Sequence, residues 1–292
     1  MTGTTMRAAA LRSFGAVLIG AVLLGGAAAR ASDEVDFETF DRLLKVRGPA
    51  CVTIKYVLKV KGAQGEFEDE RESSGVMIEA DGLVLTANSQ LGGGPFVRAG
   101  VSAVPTNIKV LIGDDTQGID ARVVARDTEL DLSWLKLKDI GDRKFVFVDL
   151  SKAAAGRLGE RLYTFMRLGK FFDRALTIRE TRIGGTTKKP RSLYIPSPAV
   201  GGLGLPMFNA AGEIVAFTVM QLPDAEELEA ATSMTAYTGG NGILLPAAEV
   251  AKATARAKEA DTGEDAAAES ELAEGEASTK PAESQPAEKK GE

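Results

Sequence analysis

Side chains able to act as a nucleophile or a general base are few in this sequence. Its 292 residues include no histidine and a single cysteine, Cys51. A triad or dyad in which histidine takes the proton from serine or cysteine is therefore excluded. The remaining scheme pairs a serine with a lysine base, and the nearest candidates are Ser197 with Lys188 or Lys189. Burial must lower the pKa of such a lysine, whereas the polar segment TTKKP predicts that both lysines are exposed.

Ligands for a metal ion or a phosphate group are equally scarce. A zinc site lacks its usual histidine and cysteine donors, and no segment has the spacing of an EF-hand loop. A calcium site built from carboxylates alone stays open as an alternative. The glycine-rich run GGLG at 201–204 lacks the lysine and the serine or threonine of a P-loop. We therefore expect no metal and no cofactor.

The elements that must position these residues are mostly β-strands. In 51–61, CVTIKYVLKVK, apolar residues alternate with threonine and lysines, which is the period of a half-buried strand. Cys51 opens this strand, so we interpret it as a core residue rather than a reactive thiol. Helical patterns are confined to 35–46 and 247–260. The whole pattern predicts an all-β barrel or sandwich with a helix at each end, and about 200 residues would accommodate two small barrels. Further short apolar runs occur at 75–79, 83–87, 108–112, 121–125, 132–137, 145–148, 161–166, 176–183, 213–220 and 242–245.

Five segments carry a more specific pattern. They are SSGVMIEADGLVLTANSQL (73–91), IKVLIGDDTQGIDARVVARDTELDLSWLKLK (108–138), LGERLYTF (158–165), AVGGLGLPMFNAAGEIVAF (199–217) and GNGILLP (240–246). Together, and in this order, they resemble the protease domain of the HtrA/Deg-type trypsin-like serine proteases, over about 45–255. The resemblance implies a chymotrypsin/trypsin-like fold of two six-stranded β-barrels, with a short N-terminal helix and a C-terminal helix.

The resemblance also assigns the family's three catalytic positions, which fall on Ser89, Asp131 and Leu203. The aspartate is retained, but serine stands at the histidine position and leucine at the nucleophile position. Because leucine has neither a lone pair nor an ionisable proton, we expect no catalytic residue here. Asp131 is interpreted as a structural remnant, satisfied by Ser89 or by nearby backbone N–H groups. The backbone N–H groups of Gly201 and Leu203 match the oxyanion-hole positions, whereas Leu205 replaces a glycine of the family's loop.

These assignments leave functions from different classes. The first is a pseudoprotease, a protein that is not an enzyme and binds a protein or peptide in the cleft between the barrels. It would act by itself, as a homo-oligomer, or as a regulator of active relatives. The alternative is an active serine endopeptidase, an HtrA/Deg-like quality-control protease with a non-standard nucleophile or base. A purely structural role in the cell envelope is a third reading. The absence of histidine favours the first.

The first 31 residues have the composition of a secretory signal peptide. Arg7 and Arg12 precede an uncharged run at 14–29, and an A-x-A sequence ends at Ala31. We expect a mature N-terminus near Ser32 and a location in the bacterial periplasm or outside the cell. The alternative is a membrane-anchored protein that keeps an uncleaved signal.

The last residues, 261–292, differ from the body of the chain in charge. They contain ten acidic residues and three lysines, and no aromatic residue. Such a segment cannot bury enough apolar surface to fold, so we expect a disordered acidic tail. The protease-like domain is then 32–260. It has no basic patch, so we expect no nucleic-acid partner. No other stretch is apolar enough to cross a membrane, so we expect no membrane contact after signal cleavage.

Overall fold

The structure, a computed structural model, describes residues 37–62, 65–94, 101–189, 191–221 and 242–261. The predicted signal peptide and almost all of the acidic tail lie outside these residues. Helix α1 spans 37–47 and helix α2 spans 247–261. The described strands are β1 (Cys51–Gly62), β2 (Gly65–Met77), β3 (Leu83–Ala87), β4 (Ser102–Leu111), β5 (Ile119–Asp127), β6 (Leu132–Leu137), β7 (Arg161–Arg167), β8 (Leu176–Thr187), β9 (Leu193–Ser197), β10 (Pro206–Phe208), β11 (Ile214–Val219) and β12 (Ile243–Pro246).

The strands form two closed antiparallel barrels of six strands each. The first closes in the order β1-β2-β3-β6-β5-β4, and the second in the order β10-β11-β12-β9-β8-β7. Closure leaves few free strand edges, which suits a fold made of short strands. The expected double barrel with a helix at each end is confirmed.

The first barrel follows the period-two pattern of β1. Its apolar residues Ile54, Leu58 and Val60 are buried in the barrel's core. The lysines of the other face form ion pairs with glutamates across the β1–β2 hairpin: Lys55–Glu70, Lys59–Glu68 and Lys61–Glu66. The N-terminal part of β2, GEFEDERE, has no apolar alternation, so the sequence pattern missed it. Pairing along β1 from Gly62 to Cys51 holds it in the sheet instead.

Other strand predictions also needed correction. The run 145–148 was predicted as a strand but belongs to neither sheet. It is held instead by two hydrogen bonds, from Phe145 N to Ala80 O (3.0 Å) and from Val148 N to Met77 O (2.9 Å). Conversely, β9 and β10 were not predicted. Strand β10 is only three residues long and begins with proline, so it offers no periodic signal.

The N-terminal helix α1 packs on the second barrel, and the C-terminal helix α2 packs on the first. In α1, Phe40 makes an edge-to-face contact with Tyr163 of the second barrel, with ring centroids 5.5 Å apart. In α2, the hydroxyl of Thr254 accepts a hydrogen bond of 3.0 Å from the indole Nε1 of Trp134 in the first barrel. The two helices therefore cross over and tie the barrels together. Within the described residues, neither is long and apolar enough to cross a bilayer.

A shared core cluster and a cross-barrel ion pair complete this interface. Buried residues from both barrels, among them Trp134, Phe165 and Phe217, belong to one hydrophobic cluster. In the loop between β7 and β8, Arg174 donates two hydrogen bonds to the carboxylate of Glu72 on β2, at 2.7 and 2.6 Å. This bidentate geometry fixes the orientation of the second barrel's loop against the first barrel's hairpin.

Candidate functional site

Asp131 lies in the tight turn just before β6. Its φ of 59° is in the left-handed region, which aspartate tolerates better than most residues. Its carbonyl accepts a 3.1 Å hydrogen bond from Asn88 N, which joins this turn to the 3₁₀ turn Asn88–Leu91 after β3. The side chain is only 4% exposed. The fold therefore brings a buried carboxylate next to the 3₁₀ turn that contains Ser89.

Three donors surround the carboxylate of Asp131. Ser89 N donates to Oδ1 at 2.6 Å, and Ser89 Oγ donates to Oδ2 at 3.0 Å. Met220 N, immediately after β11, donates to Oδ2 at 2.7 Å. The structure thus places Ser89 and Asp131 in direct contact, as the sequence reading expected. It adds Met220, a backbone donor from the second barrel that no sequence pattern marked.

Burial dominates the ionisation of this group. It raises the pKa of Asp131 to about 6 from its ordinary value of 3.8, although all three hydrogen bonds act to lower it. Desolvation penalises the charged form more than the donors stabilise it. Asp131 is therefore still mainly ionised at neutral pH and becomes protonated in mildly acidic solution.

The loop that carries Leu203 is held by the second barrel. Gly204 N donates to Thr218 O at 2.9 Å, and Leu205 N donates to Thr218 Oγ1 at 2.9 Å. Leu205 is fully buried, and its Cδ1 lies 2.9 Å from the position that a Cβ on Gly202 would take. Leu205, which stands where the family has glycine, therefore packs into the core directly against Gly202, where there is no side chain to obstruct it.

Gly204 also fits closely against the first barrel. A Cβ added there would lie 2.8 Å from Ala87 N, 2.9 Å from Thr86 Oγ1 and 3.0 Å from Ser74 O. Its φ of 75° also lies in the region that glycine favours. Only glycine therefore allows the loop to rest on β3 at this point.

Gln90 makes a direct link between the two barrels at Leu203. Its side-chain Nε2 donates to the carbonyl of Leu203 at 2.6 Å. The side chain of Leu203 is half-buried, and its Cδ2 lies 3.3 Å from the position that a Cβ on Gly242 would occupy. The three positions matched to the triad therefore lie close together. Ser89 bonds to Asp131, and Gln90, the next residue after Ser89, bonds to the backbone of Leu203. No sequence signal distinguished Gln90 from any other polar residue of its turn.

The N–H groups assigned to the oxyanion-hole positions remain without a described acceptor. Hydrogen bonds from the N–H groups of Gly204 and Leu205 are present, but among the described residues nothing accepts from Gly201 N or Leu203 N. Arg179 contacts the same loop, and its Nη1 donates to Gly201 O at 3.3 Å. Arg179 is exposed, and the sequence reading did not identify it.

The candidate serine–lysine dyad is not assembled. In the β8–β9 pair, Ser197 is opposite Arg182, whereas Lys188 follows the far end of β8. Six residues of strand separate the two positions, roughly 20 Å at the usual rise per residue. Lys188, Lys189 and Ser197 are all exposed. The lysines therefore also lack the burial that would make one of them a base.

Cys51 behaves as the core residue that its pattern indicated. It is 2% exposed, and burial raises the pKa of its thiol to about 12. A thiol in this state is neither a nucleophile nor a metal ligand. In the described part of the chain, no group of three or more histidine, cysteine, aspartate or glutamate side chains is placed to hold a metal ion.

Comparison with known proteins agrees with this geometry. Residues 73–217 match the family model described as "Trypsin-like peptidase domain". One similar protein is the "Probable periplasmic serine endoprotease DegP-like" of Rhizobium meliloti (strain 1021), 26% identical over 159 residues. The match covers 52% of this chain and 28% of that relative, so the chain spans well under two thirds of its length. With its two closed barrels and matched segments, the protein belongs to the trypsin-like serine protease family, and its protease domain is of the HtrA type.

Proposed function

We propose that this protein is a pseudoprotease, a protease-like domain that cleaves no peptide bond and binds a protein or peptide in the cleft between its barrels. The observation that carries the proposal is the absence of histidine from all 292 residues. A trypsin-like triad needs an imidazole to take the proton from serine and to return it to the leaving group. No choice of residues in this chain supplies one, and Leu203 cannot attack a carbonyl.

The bonding of Asp131 supports the same proposal. In an active triad the aspartate orients the histidine and stabilises its charged form. Here both carboxylate oxygens accept hydrogen bonds from Ser89 and Met220. The carboxylate thereby joins the two barrels, a structural use that needs no catalytic partner.

The competing function is an active serine endopeptidase with another nucleophile or base. The relative from Rhizobium meliloti is named as a probable endoprotease, and that name describes the relative. The best candidate pair in this chain, Ser197 with Lys188, is separated by roughly 20 Å along the sheet. Proton transfer needs hydrogen-bond distance, directly or through one water, so we rank this function second.

We further propose that the protein acts after export, in the periplasm. The basic residues, apolar run and A-x-A sequence of residues 1–31 support this location. The word "periplasmic" in the relative's name supports it too. N-terminal sequencing of the protein from its own cells tests the proposal, with a start near Ser32 as the expected result. An intact Met1 on the folded protein would contradict it.

Inertness can be tested directly with the purified protein. It should neither cleave casein nor react with a fluorophosphonate probe, because the chain has no histidine to activate a serine. Trypsin treated in parallel shows that probe and substrate are competent. Probe labelling that maps to Ser197 or any other serine would put the endopeptidase function first.

Binding in the cleft needs a variant that fills it. Leu203→Trp enlarges a half-buried side chain of the loop, beside Gly242, and it should weaken binding of permanently unfolded, carboxymethylated lactalbumin about tenfold or more. Leu158→Trp makes the same replacement at a side chain that is 72% exposed in the turn before β7, and it should bind like the wild type. Equal weakening by both variants, or no binding by the wild type, would refute cleft binding.

A stricter experiment restores the missing side chains. In Ser89→His with Leu203→Ser, the new imidazole starts from the residue whose Oγ already contacts Asp131 Oδ2. The double variant should label weakly with the fluorophosphonate probe at position 203, and each single variant should not, because nucleophile and base act as a unit. Adding Leu205→Gly should increase the labelling if the buried leucine distorts the loop. Labelling by the Leu203→Ser single variant would show that another base is present.

A further inference from the structure

The loop beneath the cleft presents backbone donors that nothing described uses. Neither Gly201 N nor Leu203 N has an acceptor among the described residues, whereas the next two N–H groups are bonded to Thr218. Gly201 and Gly202 are exposed and Leu203 is half-buried, so solvent or a ligand can reach this segment. Backbone N–H groups require a partner, and an exposed pair is satisfied by water or by a bound acceptor.

The backbone conformation suits an anionic acceptor. Gly202 and Gly204 have φ values of 99° and 75°, whereas Gly201 and Leu203 lie outside the positive-φ region. When right-handed and left-handed backbone conformations alternate along a loop, neighbouring N–H groups point into one concave surface. This arrangement, called a nest, is known to bind anions. The loop therefore has the form of a site for negatively charged oxygen atoms.

Arg179 supplies a full positive charge to the same loop. It lies on β8 opposite Thr164, and its Nη1 donates to Gly201 O at 3.3 Å. A guanidinium has five N–H donors, so this one bond leaves most of its donors free. Within the described residues no carboxylate lies at ion-pair distance from Arg179, although Arg161 and Arg174 on neighbouring segments both have one. Arg179 is thus an exposed cation without a described counter-ion.

We propose that Gly201 N, Leu203 N and the Arg179 guanidinium together bind a carboxylate, and that this carboxylate is the C-terminus of a peptide held in the cleft. The inference rests on the proposed function, because it names the part of a peptide that the cleft recognises. A carboxylate has two oxygens, which can accept from the backbone pair and from the guanidinium at once. No bond is made or broken at this site, since Leu203 cannot attack the bound group.

The ionised Asp131 does not prevent an anion from binding nearby. Its carboxylate is buried, and both of its oxygens already accept hydrogen bonds from Ser89 and from the N–H of Met220. Gln90 is also engaged, because its Nε2 donates to Leu203 O. Arg179 is the exposed charge that contacts this loop, and it determines the preference for an acidic ligand end.

Three peptide mixtures test the inference. The first contains rhodamine-labelled hexapeptides, randomised among uncharged residues, with a free C-terminal carboxylate. The second is identical but ends in a carboxamide, and the third is a carboxamide mixture with one aspartate or glutamate per peptide. Fluorescence anisotropy measures binding to the full chain. We expect the first mixture to bind about tenfold more tightly than the second, the difference typical of a charge-assisted hydrogen bond.

Arg179→Gln and a matched variant identify the cation. Arg179→Gln should reduce the preference for the carboxylate to about twofold or less. Arg182→Gln should retain it, since Arg182 is also exposed on β8 and also donates to a glycine carbonyl, Gly159 O at 3.1 Å. In the wild type, the amide signals of Gly201 and Leu203 in a ¹⁵N spectrum should shift on adding N-acetyl-leucine and not on adding its amide.

The possible outcomes separate this inference from the proposed function. Equal binding of the first two mixtures overturns the carboxylate site and leaves cleft binding intact. Equal binding of the first and third mixtures overturns the choice of a C-terminus and identifies an acidic side chain as the ligand. Loss of preference in Arg182→Gln as well as Arg179→Gln overturns the role of Arg179. Absence of binding by every mixture contradicts both the inference and the proposed function.

Discussion

Replacing Asp131 with asparagine should change how the stability of the fold depends on pH. Burial raises the pKa of the Asp131 carboxyl to about 6 from its ordinary value of 3.8. Between these two pH values the folded protein binds a proton that the unfolded chain does not. The stabilisation from that proton is complete below pH 3.8 and is lost as the pH rises through 6. Asparagine does not titrate, so the variant lacks this dependence.

The size of the effect follows from the two pKa values. Their difference corresponds to about 3 kcal/mol of unfolding free energy, of which about 2 kcal/mol falls between roughly pH 4.5 and pH 7.5. The wild type should lose that amount relative to Asp131→Asn over this range. A pH-independent cost of about 1–3 kcal/mol is added in the variant, because its NH₂ group faces one buried backbone N–H of Ser89 or Met220. The backbone adds nothing, since asparagine tolerates the φ of 59°.

Urea unfolding measures both quantities. Trp134 is the single tryptophan and is 2% exposed, so its fluorescence reports the loss of the core. Asp139→Asn serves as the control, because Asp139 also has a left-handed backbone, with φ 51°, but its side chain is in solvent. This control should follow the wild type at each pH. A difference between wild type and Asp131→Asn that stays constant from acid to neutral pH would refute the reasoning.

Three further predictions concern buried residues: a glycine in close contact, a hydrogen bond to an indole and a thiol. Gly204→Ala should destabilise the fold by at least about 3 kcal/mol through steric overlap and an unfavourable φ. Gly113→Ala, with a φ of 62° but nothing within 4 Å of the new Cβ, should cost only about 1 kcal/mol in the same urea measurement. Thr254→Val should cost about 1–3 kcal/mol by leaving the indole N–H of Trp134 unpaired, and Thr254→Ser should largely restore stability; equal losses would contradict this. Because its thiol has a pKa of about 12, Cys51 should resist iodoacetamide at pH 8 until urea unfolds the protein, as mass spectrometry would show.

Several features were accessible to sequence reasoning because they depend on residue types or on local periodicity. The lack of a triad follows from composition, since no arrangement of this chain can supply a histidine. Strand β1 and both helices follow from the spacing of apolar residues, which reflects the side that each element buries. The apolar alternation failed to predict β2, where charged side chains pair with those of β1, and it wrongly predicted a strand at 145–148, which belongs to no sheet.

Tertiary structure decided what the remaining polar groups do. Asp131 could be assigned a partner from the resemblance, but the N–H of Met220 comes from 89 residues away and carries no side-chain signal. Gln90 reaches the Leu203 carbonyl across 113 residues, and Arg179 meets the same loop from a different strand. Such bonds depend on how two barrels close and face each other, and backbone donors look identical at every position of a sequence. Residue types alone therefore determined that this sequence contains no histidine-based triad, and the folded chain determined which groups surround Asp131 and Leu203.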